Sequence, residues 1–348
     1  MQRYSAQALE HWTVLVYESC GVPHEDALQA AKLLVRSELR GYATHGLTRL
    51  ASYTQRLQAR DFNPQPNMQH RSFAGGIVLD ADGAMGHVAG EFANRLARQA
   101  LQTSSNVLVA IQSCGHLGAL GVYALLAAEA GYFCVTGQRT PPMLAMEGFH
   151  GAAIGHNPIA FACPVPGKSP VVFDIACSVA ARGHILMAAR DGHVIPAGWA
   201  LDENGHPTTD ADAALKGALL PMGGHKGIGI AMMVECLAGA LAATEASLAA
   251  EANRIPASGA MGRQGAFLWM VNPGAFVQGD LFEAYMTQWI GRYQESGGEA
   301  AHLPGWRGAQ LETGQRQHGV ALPDTLVHEL QALGERFAIT LPAAMPAA

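Results

Sequence analysis

In the stretch ELRGYATHGLTRL, residues 38–50, Thr44, His45 and Arg49 fall within six positions. An imidazole titrates near neutrality and can exchange a proton with a reacting oxygen. A guanidinium can grip a carboxylate through two parallel hydrogen bonds. If the chain continues as helix from Gly46, Leu47, Leu50, Thr54 and Leu57 gather on one side, and His45, Arg49, Ser52 and Arg56 line the other. Thr44 then stands where an N-cap hydroxyl belongs. A capped amphipathic helix with a wet face explains the same residues, and this stretch alone leaves both readings open.

Two glycine-rich runs offer anion sites. SCGHLGALGVYA, residues 113–124, follows an apolar run and opens a helical one, with Gly115, Gly118 and Gly121 three apart. Small residues there let backbone N–H groups approach an anion at a helix N-terminus. The spacing is not GxGxxG, and the next strand ends in Gly137, Gln138 and Arg139 rather than in an acidic residue, so a Rossmann fingerprint is poorly supported. GAMGHVAG, near residue 83, fails the same test. PMGGHKGIG, residues 221–229, is the better candidate, because Lys226 adds a cation beside the dipole of the helix that follows. It lacks the Walker spacing, and close helix–sheet packing accounts for its glycines equally well. The fifteen histidines include no HExxH and no short paired-ligand spacing, so no metal is expected.

The elements that must position these residues follow from periodicity. Residues 4–60 read as helices: Ser5 to Glu18 is periodic, GVPHEDA is a break with a helix start, and Ala27 to Leu39 is periodic again. The polar, proline-bearing stretch Asp61 to Asn67 is the best early boundary. Beyond it β and α alternate. GGIVLDADG is a strand with a turn, HVAGEFANRLARQALQ a helix, NVLVAIQS a buried strand, LGVYALLAAEAG a helix and YFCVTG a strand. NPIAFACPVPGKSPVVFDIACS holds two strands joined by a Pro/Gly turn, and a long polar loop runs from His193 to Asp212. LPMGGHKGIGIAMMVECLAGAL passes from loop into buried helix, and FLWMVNP is a strand. From Leu281 the chain is helical with one loop, HLPGWRG, and frayed last residues, PAAMPAA. No internal repeat is visible.

With 348 residues, 49% hydrophobic and 14% charged, the chain has an ample core and room for two domains. A net charge of −6 without a basic block argues against nucleic acid. The most apolar stretch, IGIAMMVECLAGALAA, is shorter than a membrane span and contains Glu235. MQRYSAQALEHW has no apolar core, so neither a membrane partner nor a signal peptide is expected. Six scattered cysteines without a CxxC fit reduced thiols. The expectation is a soluble, cytoplasmic protein.

Taken in order, RGYATHGLTRL, GHLGALGVYA, GHNPIAFACP, VVFDIACSVAARGHI, IPAGWALDENGHPTTDADAALKGALLPMGGHKG and HLPGWRG resemble the malate/L-lactate dehydrogenase family that lacks a Rossmann fold. That family also contains ureidoglycolate, sulfolactate and diketogulonate oxidoreductases and reductases of cyclic imino acids. The resemblance covers most of the chain. It implies an α/β fold with a mixed-sheet, non-Rossmann NAD(P)-binding domain, L-sulfolactate dehydrogenase-like, at 67–280. It also implies a helical domain built from 1–66 and 281–348, NAD or NADP as cofactor, a small carboxylate substrate and a homodimer that completes the active site. Carried over residue by residue, His45 matches the proton donor, Thr44 the hydroxyl beside it, and Arg49 the substrate-carboxylate ligand. His116 matches a second acid–base histidine. The dinucleotide falls to segments 116–120, 174–178, 223–227 and 304–308. These contribute His116, Leu117, Gly118, Ala119 and Leu120, then Asp174, Ile175, Ala176 and Ser178. Gly224, His225, Lys226 and Gly227 follow, and last Pro304, Gly305, Trp306 and Arg307.

The chain departs from that family in places. Thr44 replaces the commoner serine and keeps a hydroxyl. His156 in GHNP stands at a substrate-side position where threonine is usual, and His184 in ARGHI where many members carry Lys or Asp. The segment QRTPPML, residues 138–144, lacks the usual Asn/Ser-bearing pattern. The extra imidazoles could favour a more acidic substrate, or His184 could be structural. The expected reaction is reversible reduction of a 2-oxo acid to a 2-hydroxy acid. The alternative is reduction of a cyclic imine such as piperideine- or pyrroline-2-carboxylate. A catalytically dead scaffold would have lost the acid or the clamp, and here Thr44, His45 and Arg49 are all present. Arg139 could meet a 2′-phosphate.

Overall fold

The computed structural model describes residues 1–252 and 264–346. A short strand β1 (Gln2–Tyr4) precedes α1 (Ala6–Ser19), whose Ser5 cap accepts the Ala8 N–H at 3.4 Å. α2 (His24–Leu39) starts directly after Pro23, and α3 (Leu50–Gln58) follows two 3₁₀ turns. Next come β2 (Gln69–Phe73), β3 (Gly76–Asp80), α4 (Gly86–Ala100), β4 (Asn106–Cys114), α5 (Gly121–Glu129) and β5 (Phe133–Gln138). α5 is apolar on nearly every side because β5, β8 (Ile159–Val165) and β9 (Lys168–Ile175) cover one face, and α2 and α4 the other.

The main sheet has seven strands in the order β2-β3-β4-β13-β5-β8-β9, with β13 at Gln264–Val271. Only β3 and β4 pair in parallel, and every other neighbour is antiparallel. β4 and β5 would be adjacent parallel strands in a dinucleotide-binding βαβ unit. Here β13 is wedged antiparallel between them, so the sheet is mixed and not Rossmann. β8 and β9 form the hairpin that the Pro/Gly turn predicts.

Between β5 and β8 the chain enters a second sheet of five short strands. Its order is β11-β10-β12-β6-β7, from β6 (Pro142–Leu144), β7 (Ile154–Gly155), β10 (Ala200–Leu201), β11 (Pro207–Thr208) and β12 (Ala218–Leu219). With α6 (Arg182–Arg190) and α7 (Ala211–Lys216) it closes over a small core of Leu144, Cys177, Ile185 and Ile195. The stretch His193–Asp212 is therefore a folded hairpin with a helix start, not an open loop. α8 (His225–Val234) runs through a π-helical turn at Glu235–Ala240, and α9 is Glu245–Ala252. The helix expected to be buried exposes Met232 and Met233, with Leu241 just beyond it. Apolar composition reports which side chains could be covered, not whether this chain alone covers them.

The chain ends meet. α10 (Leu281–Gly297), α11 (Trp306–His318), β14 (Val320–Leu322) and α12 (Asp324–Phe337) complete the fold, and β14 pairs with β1. α11 is tied to α2 by a buried network in which Glu312 takes Arg36 and Arg40, while Gln315 Nε2 donates to the Glu38 and Leu39 carbonyls. The tail is not frayed through Met345, whose N–H donates to the Arg3 carbonyl at 2.7 Å. Residues 347 and 348 lie outside those described. One continuous core links Tyr4, Trp12 and Leu34 to the sheet and to Leu330.

Candidate active site

The opening stretch folds as two 3₁₀ turns, Ala43–His45 and Leu47–Arg49, running into α3. Its sidedness follows the sequence pattern, since Leu47, Leu50, Tyr53, Thr54 and Leu57 are buried. The kink between the turns is held from below. Buried Glu38 accepts the Leu47 N–H at 2.9 Å, and a Cβ on Gly46 would stand 2.2 Å from the Glu38 carboxylate. Burial raises the Glu38 carboxyl above its ordinary pKa, and the Leu47 hydrogen bond works against that rise.

Thr44 is not a helix cap. Its hydroxyl sits 2.9 Å from His45 Nδ1, while Arg49 Nε donates to the Thr44 carbonyl at 2.6 Å. Thr44 thus links the imidazole and the guanidinium into one unit. Two more imidazoles join it. His116, from the loop after β4, has its ring centre 5.6 Å from that of His45, and its Nδ1 is 2.9 Å from the Tyr53 hydroxyl. His156 has Nδ1 3.0 Å from the Thr140 hydroxyl and acts electrostatically on both. Three histidines therefore each spend Nδ1 on a hydroxyl, which leaves Nε2 for proton exchange.

All three are held neutral at pH 7. Burial first, then the Arg49 charge and His156, lowers His45 from 6.5 to about 4. Burial alone takes His156 to about 4. His116 is pushed well below its ordinary value by burial, then by His45, Arg49, His87 and His156.

Sequence reasoning missed the residues that hold this cluster. Gln138 accepts the Leu117 N–H and donates to the Gly115 carbonyl, both at 2.9 Å, fixing the backbone on either side of His116. Asn157 adopts φ +30°, accepts the Thr140 N–H and donates to Ala231 O and to Glu235, each at 2.9 Å. The signal was a lone buried amide at the end of an apolar strand, and an asparagine where few other residues tolerate positive φ. The QRT segment, which departs from the family pattern, thus supplies Gln138 and Thr140 as supports. Arg139 is ion-paired with Glu235. His87, buried beneath the cluster with its ring 5.5 Å from that of Tyr53, was also missed.

The four segments expected to hold a dinucleotide converge on β9 and its continuation. Pro304 O accepts the Val172 N–H at 2.9 Å, and Gly305 fits against Val172 where a Cβ would be 2.8 Å from the valine Cβ. Asp174 Oδ2 accepts the Gly121 N–H at 2.7 Å, so a carboxylate occupies the first amide of α5 in the place a phosphate oxygen would take. Burial raises Asp174 to about 6 against the pull of that hydrogen bond. Met222 N–H donates to Cys177 O at 2.9 Å, and Ser178 bridges to Pro221, which brings the 221–227 loop alongside. Gly227 permits that approach, since a Cβ would lie 2.5 Å from the Met222 carbonyl. Lys226 and Arg307 are exposed, and Trp306 lies stacked on His302 at 3.8 Å.

The residues present fit a dinucleotide. The buried Ser178 hydroxyl has no partner among the described residues, and Lys226 stands exposed in the first turn of α8. His184 stands apart on α6, with the Trp199 ring 6.2 Å away. No hydrogen bond or ring contact joins it to His45 among the described residues. Neither a group of three potential metal ligands nor a helix long and apolar enough to cross a membrane occurs among the described residues.

A family model described as malate/L-lactate dehydrogenase matches residues 4–331. The chain is 33% identical over 336 residues to (2R)-3-sulfolactate dehydrogenase (NADP(+)) of Chromohalobacter salexigens, covering 94% of this chain and 97% of that one. It is likewise 33% identical over 310 residues to a Delta(1)-pyrroline-2-carboxylate/Delta(1)-piperideine-2-carboxylate reductase of Pseudomonas aeruginosa, covering 88% and 91%. Among solved structures, sulfolactate dehydrogenase from Methanocaldococcus jannaschii superposes with a TM-score of 0.87 at 27% identity, covering 98% of each chain.

Proposed function

This chain belongs to the malate/L-lactate dehydrogenase family, and we propose that it reduces a small 2-oxo acid to the 2-hydroxy acid, and reverses that step, at the His45–Arg49 corner. The cofactor is NAD or NADP, which supplies or accepts the hydride. The observation that carries the reading is the pair of bonds through Thr44, one to His45 and one from Arg49. Arg49 spends Nε on the Thr44 carbonyl, and its two terminal nitrogens are left for the substrate carboxylate. A carbonyl beside that carboxylate is thereby presented to His45. As hydride reaches carbon, charge grows on oxygen, and a proton from His45 lowers the barrier.

The depressed pKa of His45 shapes the cycle. Without an anion nearby the ring is a neutral base, suited to taking a proton from a hydroxy acid. A bound carboxylate offsets the Arg49 charge that helps hold His45 down, so substrate binding raises its proton affinity. His116 exchanges protons with His45 from the adjacent loop, and His156 lines the substrate side. We assign the dinucleotide to segments 116–120, 174–178, 223–227 and 304–308, with Lys226 and Arg307 as cations. Val179, Leu186, Met187 and Met232 expose apolar side chains around this edge, which supports a homodimer. Six free cysteines support a reducing, cytoplasmic setting.

A cyclic imino acid reductase is the second reading, favoured by the Pseudomonas aeruginosa relative. Such an imine also carries a carboxylate for Arg49. Oxidation of NADH and NADPH against a panel of 2-oxo acids and cyclic imines separates the two. The 2-oxo acids should give the higher kcat/KM. Turnover of the imines alone would reverse the assignment.

A further inference from the structure

His87 is 1% exposed, and neither of its ring nitrogens has a hydrogen-bond partner among the described residues. A neutral imidazole always carries one N–H, and a buried donor is costly to leave unpaired. A buried histidine so placed asks for a role. Its surroundings name the candidate partner. His87 is the second residue of α4, and the helix start is locked to the catalytic loop, because a Cβ on Gly86 would stand 2.0 Å from the His116 carbonyl oxygen. The ring faces Tyr53 edge-on at 5.5 Å, with Tyr123 behind it at 6.5 Å. Gly118, at φ +77°, leaves open the space between them. The point a Cβ would occupy there is 3.1 Å from His87 Nε2 and 3.7 Å from the Tyr53 hydroxyl. That hydroxyl is already bonded to His116 Nδ1 at 2.9 Å.

We propose that His87 is a positioning residue that sets the tautomer of His116 through the Tyr53 hydroxyl. The proposal rests on the reading of His116 as the second acid–base group. A hydroxyl has one proton, so the chain has two consistent arrangements. When His87 donates toward Tyr53, the hydroxyl proton goes to His116 Nδ1, and His116 presents Nε2–H to the site. When His87 accepts, Tyr53 donates to it and its oxygen accepts the hydrogen bond of His116 Nδ1–H, so His116 presents a bare Nε2. A short shift of the phenol, or one internal water, closes the link. The acid and base forms of His116 are thereby selected with no net charge entering the core, where a charge would be costly.

The test is ¹⁵N NMR of histidine-labelled protein together with kinetics. In the wild type the two His116 ring nitrogens should show well-separated shifts, the sign of one dominant tautomer. His87→Leu should make those shifts converge and lower kcat about tenfold, as expected for one lost hydrogen bond, with the KM for reduced cofactor unchanged. Tyr53→Phe should match it, and the double variant should be no worse than either alone, because both break the same chain. His87→Gln, which keeps a donor and an acceptor, should stay within about threefold of wild type. Unchanged His116 shifts in folded His87→Leu would overturn the proposal, as would effects of His87→Leu and Tyr53→Phe that multiply. Converging shifts with undiminished kcat would support the chain and count only against the acid–base reading of His116.

Discussion

Two regions of the molecule, the proposed acid corner and the proposed cofactor edge, are built differently. Around His45 the polar groups are tied up within the chain: Thr44 to His45 and Arg49, Tyr53 to His116, Thr140 to His156, Glu38 under the turn. Around α6 and α8 the chain leaves much uncovered. Leu186, Met187, Met232 and Met233 are exposed, and the Ser178 hydroxyl is buried without a partner. The first region arranges groups that must meet a small substrate with little freedom, where a misplacement of about 1 Å can cost a hundredfold in rate. On the proposed reading, the second leaves the Ser178 hydroxyl and apolar surface for something larger, a dinucleotide or another subunit.

The widest gap between the regions should appear when the corner loses its acid. His45→Ala is expected to lower turnover by about 10²–10⁴ while leaving the affinity for reduced cofactor nearly unchanged, measured by fluorescence titration beside steady-state kinetics. Equal losses in both would dissolve the distinction.

Acid should also strike the corner first. His45, His87 and His156 have folded pKa values of about 4, below the unfolded 6.5, so the unfolded chain binds more protons between those values. Their stabilisation is complete above pH 6.5 and is lost as the pH falls toward 4. Asp174 runs the other way, since its raised pKa of about 6 gives stability that is lost as pH rises through that value. His116 is lowered too, while burial also raises Glu10, Asp26 and Glu38, and the buried histidines should dominate, leaving the urea midpoint falling from pH 7 to pH 4.5. His87→Gln should flatten the fall, and a midpoint constant over that range would contradict the neutral cluster.

The smallest effect belongs to the open edge. Lys226 is exposed, so Lys226→Ala should weaken cofactor binding by only several-fold, a loss that shrinks in high salt. Normal affinity in the folded variant would remove it from the dinucleotide site.

How far these regions could be read from sequence follows from how local their causes are. The buried side of residues 47–57 is legible because helical period is a local property. The role of Thr44 is not, since the same hydroxyl that fits a cap instead meets the neighbouring ring. Asp174 capping α5 joins residues 53 positions apart, and the insertion of β13 between β4 and β5 joins strands more than a hundred apart. No pattern within a window carries such pairings. Gln138, Asn157 and His87 each look like a stray polar residue in apolar sequence. Only tertiary packing turns them into supports.

The proposed chemistry depends on Arg49 acting as a carboxylate clamp held beside the acid by Thr44, and one comparison tests it directly. It is kcat/KM of Arg49→Lys and Arg49→Met on a 2-oxo acid and on a carbonyl compound lacking the carboxylate. Lysine keeps the charge and loses the fork, and a hydrogen bond to a charged group is worth about 1.5–3 kcal/mol. Arg49→Lys should therefore lose about ten- to hundredfold on the acid, Arg49→Met more, and neither should change much on the compound without a carboxylate. Near-native kcat/KM of Arg49→Met on the 2-oxo acid would contradict the account.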